Sequence, residues 1–194
     1  MSNNTIIKNI LTDAQRQTLF NIIEQENKLL RIEKGTGRSR LEFYPLNPKV
    51  VIPKDIVDSI KTNINANQDT LILESCYFSC YSLDYGTPKL APHLDNHSSQ
   101  YTIDYCLDAN CIWPVVVEGK EFEIPVNGAL TIDTNRQFHW RKPKLFNQNE
   151  YVKMIFFHFT DNTRDVVPID IVNKNASGWR RIFDQQTELL IDVK

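Results

Sequence analysis

The sequence places a His-x-Asp triplet, His93 and Asp95, just before an alternating apolar run in LAPHLDNHSSQYTIDYCLD. Residues i and i+2 of an extended segment point to the same face, so this imidazole and carboxylate can bind one metal ion together. Two histidines and one carboxylate with three open positions suit non-haem Fe(II) and its oxygen chemistry. A site of this kind requires a second histidine from a neighbouring strand.

Three further histidines could complete such a site. His97 continues the alternation but would come from the same strand, which favours a solvated loop histidine. His158 lies in MIFFHFT, the most apolar stretch, and is expected to be a hydrogen-bonded core or edge residue. His139 follows the hairpin signal VNGALTID, and the intervening strands leave room to bring it back beside His93. The spacing therefore favours His139.

Two amphipathic helices are predicted ahead of this motif. Thr12 and Gln15 form a capping-box pattern, and apolar residues then recur at helical spacing, which predicts a helix over residues 13–31. The segment PKDIVDSIKTNI, with Pro53 at its first turn, predicts a second helix. Between the two, RIEKGTGRSRLEFYPLNPK is predicted to be a loop that holds one short strand.

From residue 70 onward the apolar period changes from helical to two, which predicts about seven strands. They are TLILESCYFSCYSLDY, YTIDYCLD, WPVVVEG, KEFEIPV, ALTID, QFHW and YVKMIFFHF. We predict one α+β domain over 1–194, a sandwich or jelly roll with the N-terminal helices packed on one sheet. Its parts are a helical region of about 1–66, a β core of about 70–160, and a C-terminal extension, 161–194, with a short helix and strand.

The motif series APHLD…GALTIDTNRQFHWRKP…YVKMIFFHF resembles the Fe(II)- and 2-oxoglutarate-dependent oxygenases, in particular the prolyl-4-hydroxylase-like branch. The upstream CYSLDYGTPKLAPHLDNH is similar to the strand and loop that lead into the first ligand of that family. The resemblance covers roughly residues 70–160. It implies a double-stranded β-helix (jelly-roll) core and His93, Asp95 and His139 as ligands of Fe(II), with 2-oxoglutarate as co-substrate and O₂ as oxidant.

The buried distal carboxylate of 2-oxoglutarate would require a cation and a hydroxyl. Arg141, at i+2 from His139, shares the face of that ligand, and we favour it. Lys153, on the final apolar strand, is the alternative, because the prolyl hydroxylase pattern implies a basic residue there. No unambiguous basic residue stands at the family's usual distance from the second histidine, so both stay open. Tyr81 and Tyr101 flank the His-x-Asp loop and are candidates for the hydroxyl.

The resemblance implies a hydroxylase that acts on a small molecule, an amino acid or a protein side chain and releases succinate and CO₂. The alternative is a non-catalytic or cupin-like β-barrel that binds a metal or a small ligand as a sensor or carrier. A further hypothesis concerns Arg31, Arg38 and Arg40 in the predicted loop. They could form a lid over the barrel mouth that recognises an anionic substrate.

Composition gives expectations about partners and location. A formal net charge of −2 gives no electrostatic argument for nucleic acid as a partner, and the apolar runs are too short to span a membrane. The N-terminus has no secretion-signal pattern. The four cysteines include no Cys-x-x-Cys pair. We therefore expect a cytoplasmic protein with reduced thiols, and the sequence does not predict its oligomeric state.

Overall fold

The N-terminal part contains the two predicted helices. A computed structural model describes residues 4–33, 37–64, 66–95, 99–164, 183–184 and 189–190. Helix α1 spans Asp13–Gln25 and α2 spans Lys54–Lys61. The backbone N–H of Gln15 donates to Thr12 Oγ1 at 3.2 Å, and Gln15 Oε1 accepts from the Thr12 N–H at 3.0 Å. The predicted capping box is therefore confirmed.

The first helix is shorter than the predicted 13–31. It ends at Gln25, a 3₁₀ turn follows at Asn27–Leu29, and a strand begins at Arg31. Leu29 and Leu30 nevertheless pack against the core. The apolar spacing that predicted a longer helix therefore reflects the burial of these two leucines and not a helical backbone.

The strands form two antiparallel sheets. The large sheet consists of β1 Ile6–Lys8, β2 Arg31–Glu33, β3 Arg38–Glu42, β4 Leu71–Ser82, β6 Tyr101–Ala109, β9 Gly128–Ile132 and β11 Tyr151–Asp161. The small sheet consists of β5 Leu90–His93, β7 Val115–Val117, β8 Lys120–Phe122 and β10 His139–Arg141. The large sheet has the order β1-β9-β6-β11-β4-β3-β2, and the small sheet has the order β5-β10-β7-β8.

The eight consecutive strands β4 to β11 divide equally between the two sheets. β4, β6, β9 and β11 belong to the large sheet, whereas β5, β7, β8 and β10 make up the small one. Eight strands shared between two antiparallel sheets in this way are typical of a jelly roll. The predicted α+β class with a jelly-roll-like β core is therefore confirmed.

Side chains from the helices and the large sheet share one buried cluster. It includes Leu19 of α1, Ile60 of α2, and Phe157 of β11, each with no exposed surface. Burial of this apolar surface is the main stabilising contribution that this part of the chain can make. The packing of both helices on one sheet stays a prediction, and this shared cluster supports it.

The segment predicted to be a loop with one strand contains two strands, β2 and β3. Along β3 the side chains of Ser39 and Leu41 are buried, while the charged residues that alternate with them, Arg38, Arg40 and Glu42, are half-buried. The charged positions concealed this period-two pattern from the sequence analysis. Gly37, with φ of +64°, immediately precedes β3, and a Cβ there would lie 2.6 Å from Pro88 N. This position therefore requires glycine.

The C-terminal extension is described only in part. A short antiparallel pair consists of β12 Phe183–Asp184 and β13 Leu189–Leu190. The helix predicted in NASGWRRIFDQQTELLIDVK lies outside the described residues. Across the described part of the chain, the helices fall short of the length and apolarity that a bilayer crossing requires.

Candidate metal centre

The small sheet brings the three predicted ligands together. His93 is the last residue of β5 and His139 is the first residue of β10, and the two lie directly opposite each other in the antiparallel register. Their ring centroids are 4.2 Å apart. Asp95 follows β5, where its backbone N–H donates to the Thr134 carbonyl at 2.8 Å. The hydrogen-bonding ladder and this one backbone contact therefore fix the relative positions of all three residues.

The three side chains can bind a single ion. Asp95 Oδ1 lies 3.5 Å from Nε2 of His93 and 3.8 Å from Nε2 of His139. One ligand atom from each residue lies within 4.8 Å of the other two. The Nδ1 atoms of the histidines contact the carbonyl oxygens of Ala91 at 2.8 Å and Gln137 at 3.2 Å. Because Nδ1–H donates to a carbonyl in each case, the lone pair on Nε2 faces the centre.

The remaining oxygen of Asp95 is also held in place. Asp95 Oδ2 accepts a hydrogen bond from Thr102 Oγ1 at 3.1 Å, which leaves Oδ1 for the metal. Burial opposes ionisation of Asp95, but the neighbouring imidazoles of His139 and His93 hold its pKa well below the usual range. Burial, assisted by His93, lowers the pKa of His139 to about 4. At neutral pH both groups are therefore in the protonation state that binds a metal.

The ligand set fits Fe(II). Two imidazoles and one carboxylate would leave coordination positions open for further ligands. His93, Asp95 and His139 all line a cavity of about 220 Å³, and its other lining residues come from both sheets. Its lining includes polar groups from β3 and β4 as well as the aromatic side chains of Trp113 and Phe156. A small organic molecule can therefore reach the candidate metal position within a partly enclosed site.

Arg141 lines this cavity, but its charge is already paired. Its Nη2 lies 3.3 Å from Asp104 Oδ2, and its Nη1 donates to the Trp113 carbonyl at 2.6 Å. Both side chains of the ion pair are almost completely buried. Burial raises the pKa of Asp104, and Arg141 opposes this effect. Arg141 therefore reaches the predicted location as one half of a nearly neutral buried pair.

Lys153 lies outside the cavity. Alternate residues of β11 face opposite sides of the large sheet, and Phe156 and His158 are the ones that line the cavity. Lys153 Nζ instead lies 3.3 Å from Asp108 Oδ2 and 5.7 Å from the ring centroid of Phe20 in α1. The structure therefore brings Arg141, and not Lys153, to the candidate metal centre.

The two candidate tyrosines also differ in whether they line the cavity. Tyr81 is buried, lines the cavity, and packs edge-to-face on Trp113 with ring centroids 4.8 Å apart. Tyr101 packs against the cluster shared with the helices, and its ring lies 4.7 Å from the Arg164 guanidinium. The adjacent residue of β6, Thr102, faces the cavity instead. Of these two candidates, Tyr81 is therefore the one that lines the cavity.

The hypothesis that Arg31, Arg38 and Arg40 form a lid on a loop is wrong, because the three residues lie on strands. Arg38 and Arg40 belong to β3, a regular strand of the large sheet, and their side chains line the cavity wall. Arg31 lies on β2, is exposed, and does not line the cavity. Pairing of β3 with β4 holds the two arginines in place, so they cannot act as a lid on a loop.

His158 is a hydrogen-bonded histidine in the cavity, and His97 lies outside the described residues. Nδ1 of His158 contacts Ser75 Oγ at 3.0 Å and Ser99 Oγ at 3.2 Å. Its ring packs edge-on to Tyr77. Burial lowers the pKa of His158. The expected hydrogen bonding of His158 is therefore confirmed, but the residue is half-buried at the cavity instead of in the core or at an edge.

Acidification is expected to destabilise the metal-free protein through His158. Its pKa is lower in the folded chain than the value of about 6.5 in an unfolded chain, so the unfolded state binds more protons as the pH falls below 6.5. Stability is therefore present at neutral pH and is lost towards acid, by at most about 1.4 kcal/mol per pH unit for this group. Urea unfolding between about pH 7.5 and 5.5 should show a smaller loss in His158→Gln than in wild type. An equal loss in both proteins would contradict this assignment.

Sequence reasoning missed several residues of the cavity. Thr102, which holds Asp95, and Asp104, which pairs with Arg141, lie at alternate positions of β6. Their polar side chains interrupt an otherwise apolar run in YTIDYCLD. Two polar residues at i and i+2 of a buried strand were the available signal for a polar cavity.

The fold matches that of known oxygenases. No family model and no curated protein matches this sequence. A prolyl hydroxylase from Trichoplax adhaerens, in complex with a hypoxia inducible factor peptide fragment, is similar in structure with a TM-score of 0.58 and 15% identity, over 81% of this chain and 83% of that chain. A Pseudomonas putida prolyl-4-hydroxylase is similar with a TM-score of 0.56 and 12% identity, over 82% and 92%.

A third similar structure holds a metal and a co-substrate. It is HygX from Streptomyces hygroscopicus with nickel, 2-oxoglutarate and hygromycin B bound, with a TM-score of 0.57 and 11% identity, over 85% of each chain. This chain therefore has the fold of the prolyl hydroxylases and other 2-oxoglutarate–Fe(II) oxygenases. The resemblance predicted from the motifs is confirmed at the level of the fold.

Proposed function

We propose that this protein is a non-haem Fe(II)- and 2-oxoglutarate-dependent dioxygenase. The observation that carries the proposal is the His-Asp-His group at a cavity between the two sheets, with ligand atoms of His93, Asp95 and His139 within 4.8 Å of one another. The fold shared with 2-oxoglutarate–Fe(II) oxygenases supports it. With Fe(II) and 2-oxoglutarate bound, such a site uses O₂ to hydroxylate a substrate C–H bond and releases succinate and CO₂.

The residues of this chain would bind and position the reactants. His93 and His139 would bind Fe(II) through Nε2, since carbonyl groups hold their Nδ1 atoms. Thr102 would keep Asp95 Oδ1 directed at the metal. Trp113 and Phe156 line the cavity and would exclude water from the reacting groups. The protein's contribution is therefore orientation and a dry site, and the metal supplies the oxidising chemistry.

The substrate class stays broad. The similar proteins include one complexed with a peptide and one with hygromycin B bound, so this fold accommodates both kinds of ligand. We propose a small molecule, an amino acid or a protein side chain as the substrate. The four cysteines are free thiols, which supports the cytoplasmic location that we also propose.

A second candidate function is a non-catalytic metal- or small-ligand-binding barrel. The buried pair of Arg141 with Asp104 favours it, because the cation nearest in sequence to the second histidine is already neutralised. The two candidates differ in one property, since only the oxygenase consumes 2-oxoglutarate and O₂.

Decarboxylation of 2-oxoglutarate labelled at its first carbon distinguishes the two candidates. Iron-loaded wild type should release labelled CO₂ and an equal amount of succinate in air, alone or with pools of free amino acids and peptides. Asp95→Ala should release neither, because it lacks a metal ligand. If iron-loaded wild type releases no more label than this variant under all three conditions, the binding protein is the better account.

A further inference from the structure

Apart from the candidate metal ligand Asp95, the charged side chains that line the cavity divide into two groups. Arg141 and Asp104 form one buried pair that contributes almost no net charge. Arg38 and Arg40 lie on the wall formed by β3, and Lys89 is exposed at the margin. A second carboxylate beside Arg141 would also lie beside Asp104, and like charges at close range disfavour each other. An incoming dicarboxylate is therefore expected at the wall formed by β3.

The two arginines of β3 and two hydroxyls of β4 form one continuous polar surface. Arg40 lies opposite Ser79 in the antiparallel register, and Arg38 lies opposite Tyr81. All four residues line the cavity. Guanidinium groups beside hydroxyls are the chemistry that binds a carboxylate in a partly buried site.

Arg40 extends from this surface towards the metal ligands. Its guanidinium lies 3.5 Å from the ring centroid of Tyr77, and the Tyr77 ring packs on His158 with centroids 5.4 Å apart. Arg40, Tyr77 and His158 line the same cavity as the three candidate metal ligands. The cavity therefore connects the candidate metal position with Arg40.

The two arginines share one carboxylate. Glu33 accepts from Arg38 Nε at 2.7 Å, and its other oxygen lies 3.5 Å from Arg40 Nη1. Two guanidiniums and one carboxylate leave a formal charge of +1 in this group. The pair formed by Arg141 and Asp104 has no formal net charge.

Two buried polar atoms on this surface have no hydrogen-bond partner within the described part of the chain. They are Ser79 Oγ and Arg40 Nε. Ser79 is completely buried and faces the cavity. Buried hydroxyls are normally hydrogen-bonded, so an unpartnered one in a cavity is explained by a ligand that supplies the acceptor or donor.

We propose that Arg38 and Arg40, with the hydroxyls of Ser79 and Tyr81, bind the distal carboxylate of 2-oxoglutarate. This inference rests on the proposed function. Arg38 and Arg40 thus take the place of Arg141 and Lys153 as the residues that bind this carboxylate. Arg141 is then a structural residue that neutralises Asp104.

The test compares two 2-oxo acids that differ at the distal end. 2-Oxoglutarate and pyruvate chelate a metal through the same 2-oxo acid group, but pyruvate has no distal carboxylate. The dissociation constant of each is measured anaerobically with the Fe(II) protein from the visible charge-transfer band of the chelate. The ratio of the two constants reports the distal carboxylate alone. A retained pyruvate band shows that a variant is folded with its metal centre intact.

Arg40→Met and Arg38→Met should each weaken 2-oxoglutarate binding roughly 10- to 100-fold, the usual effect of losing a hydrogen bond to a charged group. Pyruvate binding should stay at the wild-type value. Lys89→Met is the matched control, because it removes an exposed cation from the same cavity, and it should leave the ratio unchanged. The double variant Arg141→Met/Asp104→Leu should also have the wild-type ratio of the two dissociation constants.

The opposite pattern would overturn the inference. If the double variant lost the preference for 2-oxoglutarate while both β3 variants kept it, Arg141 would bind the carboxylate. If all variants kept the preference, the β3 surface would serve another anion, such as one on the substrate. Failure of the proposed function is distinguishable, since wild-type protein with bound Fe(II) would then give no band with either 2-oxo acid.

Discussion

Arg141→Met is expected to lower the free energy of unfolding of the metal-free protein by about 3–5 kcal/mol. The substitution leaves the Asp104 carboxylate in a fully buried position without its counter-charge. Urea denaturation at about pH 7.5 measures the loss. Lys54→Met, which breaks the exposed ion pair with Asp58, is the control and should cost less than about 1 kcal/mol.

Two further observations would identify the buried charge as the cause. In Arg141→Met the pKa of Asp104 should rise further above its unfolded value of about 3.9, so the folded state binds the additional proton. The variant should therefore regain stability relative to wild type as the pH falls from about 7.5 to about 5. Arg141→Met/Asp104→Leu should recover most of the loss, because neither charge is then buried. A double variant as unstable as the single one would contradict this explanation.

His139→Ala is expected to weaken Fe(II) binding by more than about 100-fold. The variant loses one of three ligands, whereas loss of a residue that only supports a ligand already costs about 10- to 100-fold. His139 is buried and its Nε2 faces Asp95, so no other described side chain occupies the same place. Anaerobic competition against a metal-binding dye measures the affinity.

His158→Gln is the matched control for this experiment. It removes a histidine that lines the same cavity but does not belong to the ligand group. Its Fe(II) affinity should stay close to that of wild type. If His158→Gln weakened binding as strongly as His139→Ala, the assignment of the ligands would be wrong.

The strand pattern and the metal ligands were predictable because both depend on short-range regularities. Period-two alternation identified most of the core strands, and i, i+2 spacing placed His93 and Asp95 on one face. His139 followed from the small number of histidines and from the hairpin before it. The structure adds that β5 and β10 are neighbours, which is why His93 and His139 meet.

The face that each polar residue occupies was harder to predict. Lys153 and Tyr101 lie on strands that the sequence predicts, yet both side chains face away from the cavity. Both residues alternate regularly with the residues that line the cavity, Phe156 and His158 in β11 and Thr102 and Asp104 in β6. Alternation in a sequence shows that a strand has two faces, but it does not show which face borders the cavity.

Long-range pairs were beyond sequence reasoning altogether. Asp104 neutralises Arg141 from another sheet, and no local spacing connects the two residues. Likewise, the charged side chains of β3 concealed a strand, because alternation of arginine with serine and leucine reads as a polar loop. The cavity wall with Arg38 and Arg40 therefore became visible only in the folded chain.

We propose that one site binds Fe(II) and 2-oxoglutarate together, and an anaerobic visible titration measures this binding. Iron-loaded wild type should develop a charge-transfer band as 2-oxoglutarate is added, and the band should saturate at one 2-oxoglutarate per iron. His139→Ala should give no band under the same conditions. Wild-type protein that holds iron but shows no band at saturating 2-oxoglutarate would contradict the claim and favour a metal-binding protein without this co-substrate.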